Sequence, residues 1–256
     1  VFAHLPELGQ ISKVGFIQFK PDAQAAVLAI TPDSAAWKAG LRNGDRVSLL
    51  GDQKAPAYWQ LAAALKHAAG KTLQLRVEPL FIEPKADANS PLHDTSKAHD
   101  VTVAVPASAA EVGIRPSSAV LGRVGVDSPA AKAGLRAGDE LLTVDGDPIK
   151  SLFAFKAIVR KPFDTARAAE ANLGLEGDEL LVKLNAAVAK PFMLTFRRAV
   201  DGRAVEQRGE LKLWVTLDKT FKRPQLNLGV GEAQRYEAPE MVPNPARISY
   251  AMIHAG

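Results

Sequence analysis

The chain has 256 residues with no cysteine, and 32 Lys and Arg stand against 28 Asp and Glu. Disulfides and thiolate metal sites are therefore excluded, and the interspersed charges leave no electrostatic footprint for nucleic acid. The length suffices for two domains of about 100 to 130 residues, and no run of about 18 apolar residues offers a membrane-spanning helix. Without cysteine the chain suits a cytoplasmic or a periplasmic compartment equally. A start at Val1 rather than Met reads as a fragment or a processed form.

Residues 1–14 form a leading segment broken by Pro6 and Gly9. Gly15 to Lys20 and Ala25 to Ile30 read as strands. Asp33 to Asp45 then reads DSAAWKAGLRNGD. Arg46 to Leu50 is strand-like, and Gly51-Asp52 marks a turn. Pro56 to Ala69 has Tyr58, Leu61, Ala62 and Leu65 at helical spacing, with Gly70 as a stop. Leu73 to Val77 alternates as a half-buried strand. Residues 83–99 are polar and read as a solvated loop, with His93 and His99 in it. Val101 to Val105 is a returning strand.

Past a small, featureless stretch near Ala107 to Ala110, Gly113-Ile114-Arg115-Pro116 precedes a strand at Ala119 to Val124. Asp127 to Asp139 then reads DSPAAKAGLRAGD, which differs from the earlier stretch only where Ala35, Trp37 and Asn43 become Pro129, Ala131 and Ala137. Such a copy, offset from Asp33 to Asp127, marks a duplicated domain. Ser34 and Ser128 are helix N-caps, Pro129 suits the first helical position, and Gly40 and Gly134 suit a left-handed helix end. A strand at Glu140 to Val144 follows, then a helix at Leu152 to Arg160 expected to stop before Pro162. Residues 165–190 read as an inserted helical pair. Phe192 to Val200 and Arg203 to Leu217 flank Asp201-Gly202, a hairpin turn signal. Leu226 to Gln234 holds a further strand, and Pro245 to Ala255 a short helix.

The duplicated segment resembles the first helix and turn of bacterial PDZ domains. The resemblance implies a mostly β, α+β fold of two circularly permuted PDZ domains in tandem, each a small, partly open barrel capped by helices. Their expected spans are 15–106 and 107–221, joined by a linker as separately folded units, with 222–256 as an extension leading toward a membrane. Leu211 to Leu217 and Val101 to Val105 would be the closing strands. Taken with Val1, Phe2 and Pro6, the GIRP stretch and the tail PARISYAMIHAG, the chain resembles the periplasmic region of the bacterial site-two intramembrane metalloproteases. That implies a role in regulated intramembrane proteolysis and envelope stress signalling. The region would lie on the periplasmic side of the inner membrane, where it filters substrate access. A free-standing periplasmic adaptor that binds protein C-termini is the alternative reading.

The proteolytic zinc motif of that family, HExxH, is absent from the chain, whose histidines are His4, His67, His93, His99 and His254. Without it, GxSxG or cysteine, the expectation is a non-catalytic, monomeric fragment that holds no cofactor, zinc belonging to the full-length protease. The expected ligands are peptide or protein C-termini and membrane-protein substrates, with no nucleic acid. They would be taken up by strand addition. The expected groove has its edge at Ala119, Val120, Leu121 and Gly122. A carboxylate nest lies at Gly113, Ile114 and Arg115. Phe155 and Val159 are either wall or core. Ala26 is the expected match of Val120 in the first copy, and Gln18 the expected match of Gly113, an alternative alignment using Gly15-Phe16-Ile17. Trp37 either packs locally or is an exposed contact with the other unit or with a partner.

Overall fold

A computed structural model describes residues 16–18, 25–82, 91–171, 177–218, 223–233 and 240–242. The leading segment 1–14 and the expected helix at 245–255 lie outside the described residues. The molecule is a strand-rich mixture of α and β structure. Strand β1 (Phe16–Gln18) pairs antiparallel with a strand at Glu240–Val242, within a compact unit of its own.

The remaining unit contains the same arrangement twice. In the first repeat, β2 (Leu28–Ile30) leads to α1 (Ala35–Lys38), β3 (Arg46–Leu50), β4 (Gln53–Lys54), α2 (Tyr58–His67), β5 (Thr72–Glu78) and β6 (His99–Ala104). The sheet order is β4-β3-β5-β6, and β2 pairs separately with β7 (Ile114–Pro116). In the second, β8 (Leu121–Val124) leads to α3 (Pro129–Lys132), β9 (Glu140–Val144), β10 (Asp147–Pro148), α4 (Leu152–Ala171), α5 (Gly177–Ala187), β11 (Phe192–Val200) and β12 (Arg203–Leu211). Here the order is β10-β9-β11-β12. Strand β13 (Trp214–Leu217) pairs with β14 (Pro224–Asn227), and β8 pairs with β15 (Val230–Glu232).

The duplicated residues do in each repeat what their chemistry dictates. Ser34 Oγ accepts from Trp37 N–H at 3.2 Å, and Ser128 Oγ from Ala131 N–H at 3.1 Å, capping the two short helices. Asp45 and Asp139 accept from the amides of Arg42 and Arg136 at 2.8 and 2.7 Å, closing the turns into β3 and β9. Leu28, Leu41, Val47, Leu61 and Val77 fill one core; Leu121, Leu135, Leu141, Phe155 and Phe196 fill the other. Asp201 and Gly202 both have positive φ, as the hairpin turn requires.

The structure corrects four expectations. The wall helix of the second repeat does not stop before Pro162 but runs to Ala171. Its buried stripe of Leu152, Phe155, Val159 and Phe163 continues across the proline, and this burial offsets the lost backbone bond. The expected insertion is therefore the end of that helix plus α5. Asn185 fixes α5 to β13, since its Oδ1 accepts from Val215 N–H at 2.9 Å and its Nδ2 donates to Val215 O at 3.1 Å.

The second correction concerns boundaries. Ile114–Pro116 is hydrogen-bonded into the first repeat, so that repeat extends past 106 to Pro116; likewise Val230–Glu232 belongs to the second repeat rather than to an extension beyond 221. Third, the repeats are not independent units on a linker. Val27, Ala29 and Leu80 of the first bury against Val120 and Ala233 of the second. Trp37 Nε1–H donates to Gly202 O at 3.1 Å, so the tip of the β11–β12 hairpin rests on α1. Arg115 pairs with the buried Glu140 at 2.6 Å, and Arg197 joins the same carboxylate at 3.4 Å.

Fourth, His93 is not a solvated loop residue. It is 5% exposed, and its Nε2 lies 3.0 Å from Gly44 O. Donation to that carbonyl fits a neutral ring, and burial pushes the pKa down to about 4. Beside it, burial pushes the Asp45 carboxyl up to about 6. The two act in opposite senses. Between about pH 4 and 6 the folded state holds the Asp45 proton that the unfolded chain releases, so stability falls as pH rises. Between about pH 6.5 and 4 the unfolded chain protonates His93 and the folded state does not, so stability falls as pH drops. Asp45→Asn removes only the first effect and keeps the acceptor for Arg42. The variant is expected to be more stable than the parent by about 2 kcal/mol at pH 7. It loses that advantage as pH falls to 4, read from urea midpoints at a series of pH values.

Candidate functional site

Strand addition needs a strand with one unpaired edge, and Ala119 to Val124 does not provide it. Leu121–Val124 pairs with β15 on one side. On the other, Leu121 N–H donates to Asp139 O at 2.8 Å, Gly138 N–H to Leu121 O at 2.7 Å and Leu141 N–H to Ala119 O at 3.0 Å. Val120, 1% exposed, faces the other repeat rather than a groove. Its counterpart is Val27, not Ala26. Leu28 N–H donates to Asp45 O as Leu121 N–H does to Asp139 O, and Ala26 lies in the first core. The one-residue offset comes from Gly122, the extra residue of a bulge where Gly231 faces Arg123 and Glu232 faces Leu121.

The edges lie instead on β7 and β15. Among the described residues each is the outer strand of its two-stranded sheet. The two are equivalent. Thr31 N–H donates to Gly113 O and Gly125 N–H to Gly229 O, both at 2.8 Å. Gly113 has φ +81 and Gly229 φ +80, and a Cβ on either would overlap the N-cap serine of its own repeat, Ser34 or Ser128. Only glycine fits there. The alternation of an antiparallel ladder then turns the amide and carbonyl of Ile114 away from β2, and those of Val230 away from β8.

Each outward edge faces the start of a long helix. Ile114 O accepts from Tyr58 Oη at 3.2 Å, from the first turn of α2. Burial raises the Tyr58 phenol above its ordinary range, so it stays a donor. In the second repeat Lys156 Nζ of α4 lies 3.4 Å from Glu232 Oε1. Both side chains are about a third exposed, so this link costs little to open. Pro116 lacks an N–H, and the Ile114 carbonyl is taken. The β7 edge therefore offers a ligand fewer bonds than the β15 edge, where Val230-Gly231-Glu232 contains no proline.

Of the residues singled out from sequence, Gly113, Ile114 and Arg115 stand at the edge of the first repeat, not the second. Arg115 does not aim at a ligand carboxylate; its Nη2 reaches Glu140, and its Nε donates to Thr31 Oγ1 at 3.3 Å. Ala119, Val120, Leu121 and Gly122 form the strand beneath the second edge. Phe155 and Val159 are both core, each 0% exposed. Gln18 lies on β1, in the other unit. Sequence reasoning missed Tyr58, Lys156 and the run Gly229 to Glu232. A signal existed: Leu228-Gly229-Val230 repeats the pattern of Val112-Gly113-Ile114, an apolar residue, a glycine and a β-branched residue. Among the described residues no group of three or more His, Asp or Glu is placed to hold a metal ion.

Residues 120–167 match the family model of the PDZ domain, so the second repeat carries one. The chain is also 28% identical over 150 residues to the regulator of sigma-E protease RseP of Salmonella typhimurium (strain 14028s / SGSC 2262), and to the same degree to the regulator of sigma E protease of Salmonella typhi. Each match covers 57% of this chain and 32% of the relative, so the matched stretch is about a third of those proteins. Together these matches support an RseP-like PDZ region in this chain.

Proposed function

We propose that both repeats are circularly permuted PDZ domains, and that the pair is a non-catalytic ectodomain controlling which polypeptides reach a membrane-embedded zinc protease. The reading extends to a periplasmic location and to ligands that are protein C-termini or membrane-protein substrates. The observation that carries it is the matched pair of edge strands, each beginning at a glycine of φ about +80° and each facing the first turns of a helix. A glycine-led turn of this kind aims backbone N–H groups at an anion, and the adjacent outward amide and carbonyl bond an added strand.

The β15 groove is the better of the two on backbone grounds. A peptide with a free, apolar C-terminus is expected to bind there with Kd of about 10 to 100 μM, worth roughly 5.5 to 7 kcal/mol. Gly229→Val, which closes the nest against Ser128, is expected to weaken binding at least about tenfold by calorimetry, as is amidation of the peptide. Unchanged affinity after both alterations would overturn the carboxylate-end reading.

A further inference from the structure

Trp59 and Phe153 are two of the largest exposed apolar side chains, at 60% and 79% exposure. They are the same position in the two repeats. Tyr58 and Leu152 open the two wall helices, Leu61 and Phe155 point into the two cores, and Leu65 and Val159 follow one turn later. The duplicated domain thus presents an aromatic ring to water at the second residue of the wall helix in both copies. Burying either ring is precluded by its place in the helix, since the core stripe uses the residues two and six further on.

The direction of the groove says what these rings face. Leu152 N–H donates to Ser118 O at 2.6 Å, which sets the start of α4 beside the beginning of β8. Because β15 runs antiparallel to β8, that end of the groove is the Glu232 end, and Gly229 lies at the other. In the first repeat Ala26 N–H donates to Pro56 O at 2.7 Å and sets α2 the same way relative to Gly113. A ligand whose C-terminus sits at the glycine would run antiparallel to the edge strand. At about 3.3 Å per residue, three or four of its residues cover Val230 to Glu232. The residues before them leave the groove past the first turn of the helix. Lys156 ties this flank to the edge, for it reaches Glu232 and stands one turn from Phe153 on the same side of α4.

We infer that Phe153, and Trp59 in the first repeat, are apolar rests for the part of a bound polypeptide upstream of its C-terminal strand. The ligand class is an extended chain end carrying a bulky apolar residue about four to six positions before its C-terminus. This inference rests on the peptide-groove reading above.

The test uses the full chain and two nine-residue probes with the same free C-terminal Ala-Ala-Val, one with Leu and one with Ser at the fourth to sixth positions from the end. The Leu probe is expected to bind about fivefold more tightly, the gain from covering part of one aromatic ring. Phe153→Ser, an exposed change that leaves both cores intact, is expected to abolish that difference and leave the Ser probe unaffected; Trp59→Ser reads the weaker groove. Binding of both probes with a preference that survives both substitutions overturns the rim assignment alone. Binding of neither probe overturns the groove reading on which it depends.

Discussion

Arg198→Met is expected to destabilise the second repeat by about 4 kcal/mol, the cost of stranding a buried carboxylate. Asp139 is 0% exposed, and Arg198 clamps it with Nε to Oδ1 at 2.8 Å and Nη2 to Oδ2 at 2.6 Å, while Nη2 also reaches Gly134 O at 2.6 Å. One guanidinium therefore joins the helix end, the turn and β11. Burial already pushes the Asp139 carboxyl up against the pull of Arg198 and the Arg136 amide. Removing the arginine leaves burial dominant, so the carboxyl takes up a proton on folding. The loss should be largest above pH 7 and shrink as pH falls, and urea unfolding at pH 5 and 8 measures it. The first repeat supplies the comparison. Asp45 is also buried, at 4% exposure, without an arginine clamp, and its carboxyl is pushed up to about 6.

Gly122→Val is expected to remove the β15 edge. A Cβ at 122 would overlap Glu232 O together with the Cα and N of Ala233, all backbone atoms at the end of β15 and of the residue that follows it. Backbone cannot swing aside as a flexible side chain can, so Val230–Glu232 must leave β8. The expected cost is about 2 to 3 kcal/mol of stability, as for other overpacked sites, with peptide binding by the second repeat lost. Gly125→Ala is the control. Its added methyl would meet nothing nearer than 3.7 Å, and both properties should stay within about 0.5 kcal/mol of the parent.

The internal geometry of each repeat was legible in the sequence, because caps, turns and glycine positions act over a few residues. Ser128, Pro129, Gly134 and Asp139 stand where their local chemistry put them. Which sheet a strand joins is not local. Gly113 to Pro116 precedes the second repeat along the chain and by order alone reads as its start, yet it pairs with Leu28 to Ile30, more than 80 residues earlier. Chain order alone therefore points to β8 as the groove edge, where the pairing points to β15. Pro162 reads as a stop by its backbone chemistry, and the apolar stripe that continues to Phe163 outweighs that preference. His93 looked solvated amid a polar composition, but Leu80 and Leu92 beside it bury against the second repeat.

Each repeat is expected to take its ligand on a strand that follows its own core in sequence, Gly229 to Glu232 for the second. Amide hydrogen exchange with and without a saturating C-terminal peptide tests this most directly. The outward amide of Val230 should gain protection on binding, while the amides of Leu121 and Leu141, already bonded to Asp139 O and Ala119 O, should not change. Protection confined to Ala119 to Val124, with Val230 exchanging as before, would contradict the account.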